Sequence, residues 1–352
     1  MTRTLRHQGR ASRAQARRAS AKDVALLAGV STATVSRVIN APDQVQSETC
    51  ILVRDAMQKL RYVPHGAARA LRSHRSRMIG AVVPSFSYAL YARTTSAMQA
   101  VLDDAGYSLV VAEHHYDLAA ELRVTEQLLS RGVDALVFVG LHHDPALFAM
   151  LADTGRPYVL TWGVDAMRRH PSIGFDNRAA TYAMAQHLIG LGHRRFGLLS
   201  AYPDGNDRAT ERGGGLRDAL RQAGLSLDDA CVQYGPIDLA AASAMMQRLL
   251  ALKKRQRPTA VMATNDVFAV GAMMACREAG LAIPGDISIT GVDNTDLGAT
   301  QTPPLTSIGT PIVEIGRAAA EQLLARLGGR PYDAFQALPF QLVLRGSTGR
   351  AP

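Results

Sequence analysis

The stretch "AKDVALLAGVSTATVSRVIN", residues 21–40, decides how the front of this chain folds. Ser20 stands ready to cap a helix over Ala21–Ala28, with Val24 and the Leu27/Ala28 pair at one-face spacing. Gly29 lets the backbone turn sharply. Ser31 then caps a second helix over residues 32–39, with Val35 and Val38/Ile39 inward and Asn40 suited to end it. Ser47 is placed to cap a third helix over 48–60, where Val53, Ala56/Met57 and Leu60 recur at helical spacing. Three short helices with a tight turn between the first two describe a helix-turn-helix module.

The charge distribution gives that module a purpose. Residues 1–77 hold 15 Lys and Arg against 4 Asp and Glu, a surplus of 11, whereas residues 78–352 hold 24 against 26. A small bundle without a ligand leaves this surplus unexplained. A cationic front joined to a near-neutral body implies one part for a polyanion and one for something else. Residues 1–19 are basic and lack an apolar core and a cleavage site, so they read as a disordered tail rather than a secretory signal. No apolar run approaches membrane-spanning length. Three scattered cysteines without a CxxC read as reduced, buried thiols, and a cytoplasmic location is expected.

"VALLAGVSTATVSRVIN", followed by "LRYVPHGAARALRS", resembles the DNA-binding head of the lactose/galactose repressor family. The likeness takes in both helices, the Tyr-x-Pro link and the ARALR hinge. It implies a head over 20–63, a hinge and linker over 64–77, and an effector-binding and dimerisation body over 78–352. By that resemblance the base readers are Thr32, Ala33 and Arg37. Arg37 can fork onto O6 and N7 of guanine, worth about 1–3 kcal/mol of discrimination, and Ala33 can touch a thymine methyl. Ser31, Thr34, Ser36 and Asn40 are placed for phosphates. The hinge, 66–72, is too short to be helical alone. The family analogy has it fold on the operator, with Leu71 wedged into the minor groove, Ala68 at the packing of two such helices, and Arg72 in the DNA-facing set. Two departures stand out: His65 replaces the usual hinge-capping Asn, and Gln46 replaces the usual Ser or Thr, leaving Ser47 to take over.

Behind the head, apolar runs alternate with helical patterns. Strands are expected at 78–84, 107–113, 135–140, 158–162, 195–201, 260–265 and 288–293, with helices around 97–104, 121–130, 181–191 and 269–279. Such alternation means parallel sheets covered on both faces. One sheet of that size is large for this length, and a break near 174–177 divides the body into two lobes. The resemblance agrees: the family's body is similar to a periplasmic sugar-binding protein with its ligand between lobes. Its fold class is α/β, with the helix-turn-helix head and hinge helix in front.

Ligands of such lobes sit beyond the carboxyl ends of the strands. By motif match the family's ligand-binding arginine falls at Arg212, its asparagine at Asn265 and its acidic partner for hydroxyls at Asp293, unless Asn265 and Asp293 merely cap the helices they precede. Phe86 and Tyr88 are placed to stack on a sugar-like ring. Trp162, in "YVLTWG", stands where many members carry an Asp; with "SIGFDN" this is similar to gluconate-type repressors, and losing a carboxylate there makes an acid sugar less repelled.

Enzyme readings fare poorly. The triplet Gly213–Gly215 lacks the Lys-Ser/Thr of a P-loop, and GxSxG and HExxH are absent. The doublets His114–His115 and His142–His143 read as solvated loop residues rather than metal ligands. The expectation is therefore a homodimeric transcription regulator, without metal or cofactor. It grips a pseudo-palindromic double-stranded operator and answers to a small molecule such as a sugar or sugar acid. The rival classes are a solute-binding protein and a sugar-modifying enzyme on the same fold.

Overall fold

The computed structural model describes residues 19–63 and 75–352 and divides the chain into two compact units, 1–74 and 75–352. The basic tail and the hinge, with Ala68, Leu71 and Arg72, lie outside the described residues.

In the first unit, α1 (Ala21–Ala28), α2 (Thr32–Asn40) and α3 (Ser47–Lys59) surround a small core of Val24, Ala25, Val35, Val38, Cys50, Val53 and Ala56. Ser20 and Asp23 form a reciprocal capping box at the start of α1, satisfying two orphan amide donors. Gly29 ends that helix at φ 67°, where a side chain is unwelcome. Two details differ from the sequence reading. Leu27 is half exposed, and Ala25 takes its inward place beside Val24. Ser47 does not cap α3: the Gln46 carbonyl already accepts from Cys50 N, so Ser47 is itself the first helical residue and Gln46 the uncapped flank.

The second unit holds two six-stranded sheets. The first is ordered β11-β5-β4-β3-β1-β2, from β1 (Met78–Val83), β2 (Ser108–Glu113), β3 (Ala135–Val139), β4 (Tyr158–Thr161), β5 (Ser172–Gly174) and β11 (Phe335–Ala337). The second repeats that order as β12-β10-β9-β8-β6-β7, from β6 (Phe196–Ser200), β7 (Val232–Tyr234), β8 (Ala260–Ala263), β9 (Ser288–Val292), β10 (Thr306–Gly309) and β12 (Gln341–Val343). Every pairing is parallel except β10 with β12. The inner strands β1, β3 and β8 are apolar throughout because helices cover both faces.

The chain passes between the sheets three times: after β5, after β10 and between β11 and β12. After β5 it enters α7 (Asn177–Gly190), which packs along α8 (Asp207–Gln222). After β10 it enters α12 (Ile312–Leu327), which returns to lie on α4 (Ala89–Asp104) beside the first sheet. Helix α8 runs straight through the triplet at 213–215, which propensity alone would break. The reason is packing: a Cβ on Gly215 would stand 2.2 Å from the Arg178 carbonyl of α7. In each sheet the order reverses beside the first strand, β1 against β3 and β6 against β8. Ligands of doubly wound sheets collect at the carboxyl ends at such a reversal.

Candidate functional site

On α2 the sequence sorts its side chains by face. Val35 and Val38 are buried in the head core, while Ser31, Thr32, Ala33, Arg37 and Asn40 are exposed and Thr34 and Ser36 half-buried. Ser31 accepts from Thr34 N at 3.1 Å, and the two hydroxyls lie 2.9 Å apart. Asn40 donates back to the Ser36 carbonyl at 2.6 Å, closing the last turn. The exposed end is thus a rigid row of small and hydroxylated residues with one guanidinium, Arg37. That profile suits close approach to a base-pair edge.

The second site is a narrow cleft in the body, lined among others by Tyr88, Tyr91, Trp162, Arg208, Arg212 and Asn265. These come from strand ends and helix starts of both lobes. Arg212, 7% exposed, is held by three acceptors. Its Nε donates to Asn177 Oδ1 at 2.8 Å, its Nη1 to the Thr264 carbonyl at 2.6 Å, and its Nη2 reaches Asp293 Oδ1 at 3.5 Å. Asn177 in turn donates to the Trp162 carbonyl at 2.8 Å. The Tyr88 hydroxyl, from beyond β1, donates to the Asp293 carboxylate beyond β9. A chain of hydrogen bonds therefore ties one lobe to the other at Trp162 and again at Tyr88.

Burial governs the electrostatics here. Burial, and then the Asp293 charge, push the Tyr88 phenol well above its usual range, so it remains a donor. Burial raises the Asp293 carboxyl against the pull of Arg212. Behind it Asp266 is pushed up to about 7 by burial and by Asp293, although Ser307 Oγ, Thr295 N and Thr295 Oγ1 all donate to it. Left-handed backbone is concentrated at this spot, with Tyr116 at φ 62°, Trp162 at φ 71°, Asp293 at φ 102° and Asn294 at φ 49°. Such strain persists where the surroundings over-determine it, and it clusters at binding sites.

The structure thus brings together Tyr88, Trp162, Arg212 and Asn265 on the cleft, with Asp293 directly behind Tyr88 and Arg212. Asn265 does both things asked of it: its side-chain oxygen caps α10 (Asp266–Glu278) through Phe268 N at 2.9 Å, and its NH₂ remains a donor at the cleft wall. Phe86 is a correction. It is 56% exposed and absent from the cleft wall, because the turn after β1 points Tyr88 inward and leaves Phe86 on the surface, its amide bonded to Glu113. The histidine doublets are another. His114 and His143 are buried, with Glu121 between them: His143 Nδ1 meets its carboxylate at 2.9 Å and Nε2 the Gly140 carbonyl at 3.0 Å. Among the described residues no group of three His, Cys, Asp or Glu is arranged to hold a metal ion.

Sequence reasoning missed Arg208, Tyr91 and the positioning role of Asn177. Arg208 precedes Arg212 by four residues, the spacing that puts two side chains on one helix face. That signal was readable in "DRATER" had α8 been recognised as a helix.

Comparison with known proteins agrees with this geometry. Residues 20–65 match the model for bacterial regulatory proteins of the lacI family, and residues 185–348 that for a periplasmic binding protein-like domain. The HTH-type transcriptional repressor PurR of Aliivibrio fischeri is 32% identical over 333 residues, 94% of this chain and 98% of that protein. A LacI-family transcriptional regulator from Silicibacter pomeroyi superposes with a TM-score of 0.86 at 28% identity, covering 94% of this chain and 100% of that one. The lac repressor dimer bound to operator and the anti-inducer ONPF gives 0.82 at 28% identity, over 95% and 100%. With a helix-turn-helix in front and a two-lobed α/β body carrying a polar cleft behind, this chain belongs to the lacI family of bacterial transcription regulators.

Proposed function

We propose that the protein is a cytoplasmic repressor that reads a pseudo-palindromic operator as a homodimer, and that a sugar or sugar acid in the cleft sets its affinity for DNA. The observation that carries this is the hydrogen-bond chain between lobes. Tyr88 and Asp293, and Trp162 with Asn177 and Arg212, are polar partners that a polyhydroxylated ligand must join or displace. A ligand that does so binds one lobe arrangement better than another, and that difference is the whole source of control.

On α2, Thr32, Ala33 and Arg37 read bases while Ser31, Thr34, Ser36 and Asn40 hold phosphates. Residues 64–77, of which 64–74 lie outside the described residues, are our candidate link, with Leu71 for the minor groove, Ala68 for the packing of two such links and Arg72 for DNA. Self-association is supported by the exposed row Ala89, Ala92, Ser96 and Ala100 on α4, small enough for a second copy to approach closely.

The test is selection of duplexes from a random library by the full chain, followed by operator titration with and without sugars and sugar acids. The expected result is enrichment of a two-fold symmetric site whose affinity changes with a bound compound. Enrichment of no sequence would refute the proposal.

A further inference from the structure

The cleft holds hydrogen-bond donors that nothing in the protein satisfies. Arg208 is 6% exposed and lines the cleft from the second residue of α8. Its Nη1 donates to Asp207 at 2.7 Å, but its Nη2 is buried with no partner. The indole Nε1 of Trp162, whose residue is 1% exposed and lines the same cleft, is likewise buried and unpartnered. Two orphaned donors at one cavity are costly, and a native structure tolerates them for a reason. What they lack is an acceptor-rich group.

The charge count narrows the choice. Arg208 is balanced by Asp207 and Arg212 by Asp293, so the ionised side chains sum to zero. Helices α8 and α10 begin at the cleft with Asn206 and Asn265 as caps, and each N-terminus supplies roughly half a positive charge. Together they match one negative charge rather than two. Tyr91 and Tyr116, whose hydroxyls lie 3.2 Å apart, also line this region and add donors at its edge. Arg212, Asn265 and Tyr88 stand elsewhere on the wall and suit hydroxyls.

We infer that the ligand is a monoanionic polyol, an aldonic or uronic acid. Its carboxylate is read by Arg208 Nη2 and the Trp162 indole N–H, and its hydroxyls by Arg212, Asn265 and Tyr88. This rests on the cleft being the effector site and adds which chemical group the site selects. The guanidinium stays charged in its buried place: burial opposes that, and the Asp207 carboxylate beside it offsets the burial.

The test uses the full chain and isothermal titration with C4–C6 aldonates and uronates, the matching neutral alditols, and alditol phosphates. Gluconate against glucitol is the cleanest pair, since a carboxylate replaces a hydroxymethyl and nothing else. At least one acid is expected to bind at least 100-fold tighter than its alditol, because a site built around unpaired donors rejects the analogue lacking the acceptor. In R208Q that acid-to-alditol ratio should collapse at least tenfold, and in W162F it should fall by a smaller factor. A cooperative urea transition followed by circular dichroism shows that each variant has folded. Alditols binding as tightly as acids would overturn the inference and leave the cleft reading intact. Phosphates binding tighter than every carboxylate would overturn the choice of group. If no compound in the panel binds, the inference falls; the cleft reading then stands only if some other small molecule changes operator affinity.

Discussion

Replacing Arg212 by Met removes the donor on which three buried acceptors depend. Asn177 Oδ1 and the Thr264 carbonyl lose bonds of 2.8 and 2.6 Å, and Asp293 loses its cation at 3.5 Å. Each stranded acceptor costs about 1–3 kcal/mol, and breaking a buried ion pair from one side typically costs about 3–5 kcal/mol. The pair here is long and Tyr88 still serves Asp293, so the total should lie near 4 kcal/mol rather than at the sum of the parts. Against a domain stability of about 5–15 kcal/mol that is a large loss. Trp162 is the only tryptophan in the chain and sits on the cleft, so its fluorescence during urea unfolding reports this body and not the head. The midpoint should drop with an unchanged m-value. The double variant R212M/D293N should cost about 1–3 kcal/mol less than the two single changes added together, since coupled neighbours are not additive. Strict additivity, or an R212M loss below about 1 kcal/mol, would refute the network described here.

Three further outcomes rest on neighbouring contacts. Because Asp266 titrates at about 7 in the folded chain and near 3.9 unfolded, the native state holds a proton that the unfolded chain has released. Stability should therefore fall as pH rises from about 4 to 7 and then level; Asp266→Asn should flatten that slope in urea midpoints, and an unaltered slope would contradict the assignment. Ser20→Ala removes one half of the capping box and should destabilise α1 by about 1 kcal/mol, read as roughly fivefold faster amide exchange over that helix, with Ser20→Thr largely retaining protection. Tyr88→Phe deletes the donor from the first lobe to Asp293; ligand-dependent change in operator affinity should shrink, whereas a fully preserved response would mean that this contact plays no part in closure.

How much of this could be read from residues alone depended on whether local pattern and tertiary packing agreed. They agree in the head, where Ser20, Gly29 and Ser31 each act locally, and in inner strands such as Met78–Val83, whose unbroken apolar run has one sensible home. They disagree at α8, where three glycines argue against a helix and only the pressure of α7 explains one. The short edge strands Val232–Tyr234, Phe335–Ala337 and Gln341–Val343 carry too few residues to show any period. In the cleft, Arg212, Asn265 and Asp293 were legible through resemblance to a family motif. Arg208 was not, because its four-residue spacing from Arg212 has meaning only once α8, with its three glycines, is known to be a helix.

The central claim is that α2 reads bases while the cleft behind decides when, and the measurement that tests it most directly is the operator-to-random affinity ratio of the full chain carrying Arg37→Ala. Arg37 is exposed, with Val35 and Val38 fixing the helix from behind, so the change leaves the fold alone. Loss of a bidentate guanine contact worth about 1–3 kcal/mol should cut the ratio by roughly 5- to 150-fold while ligand affinity at the cleft stays at the wild-type value. A ratio that does not move, or a uniform loss on every duplex, would contradict the account.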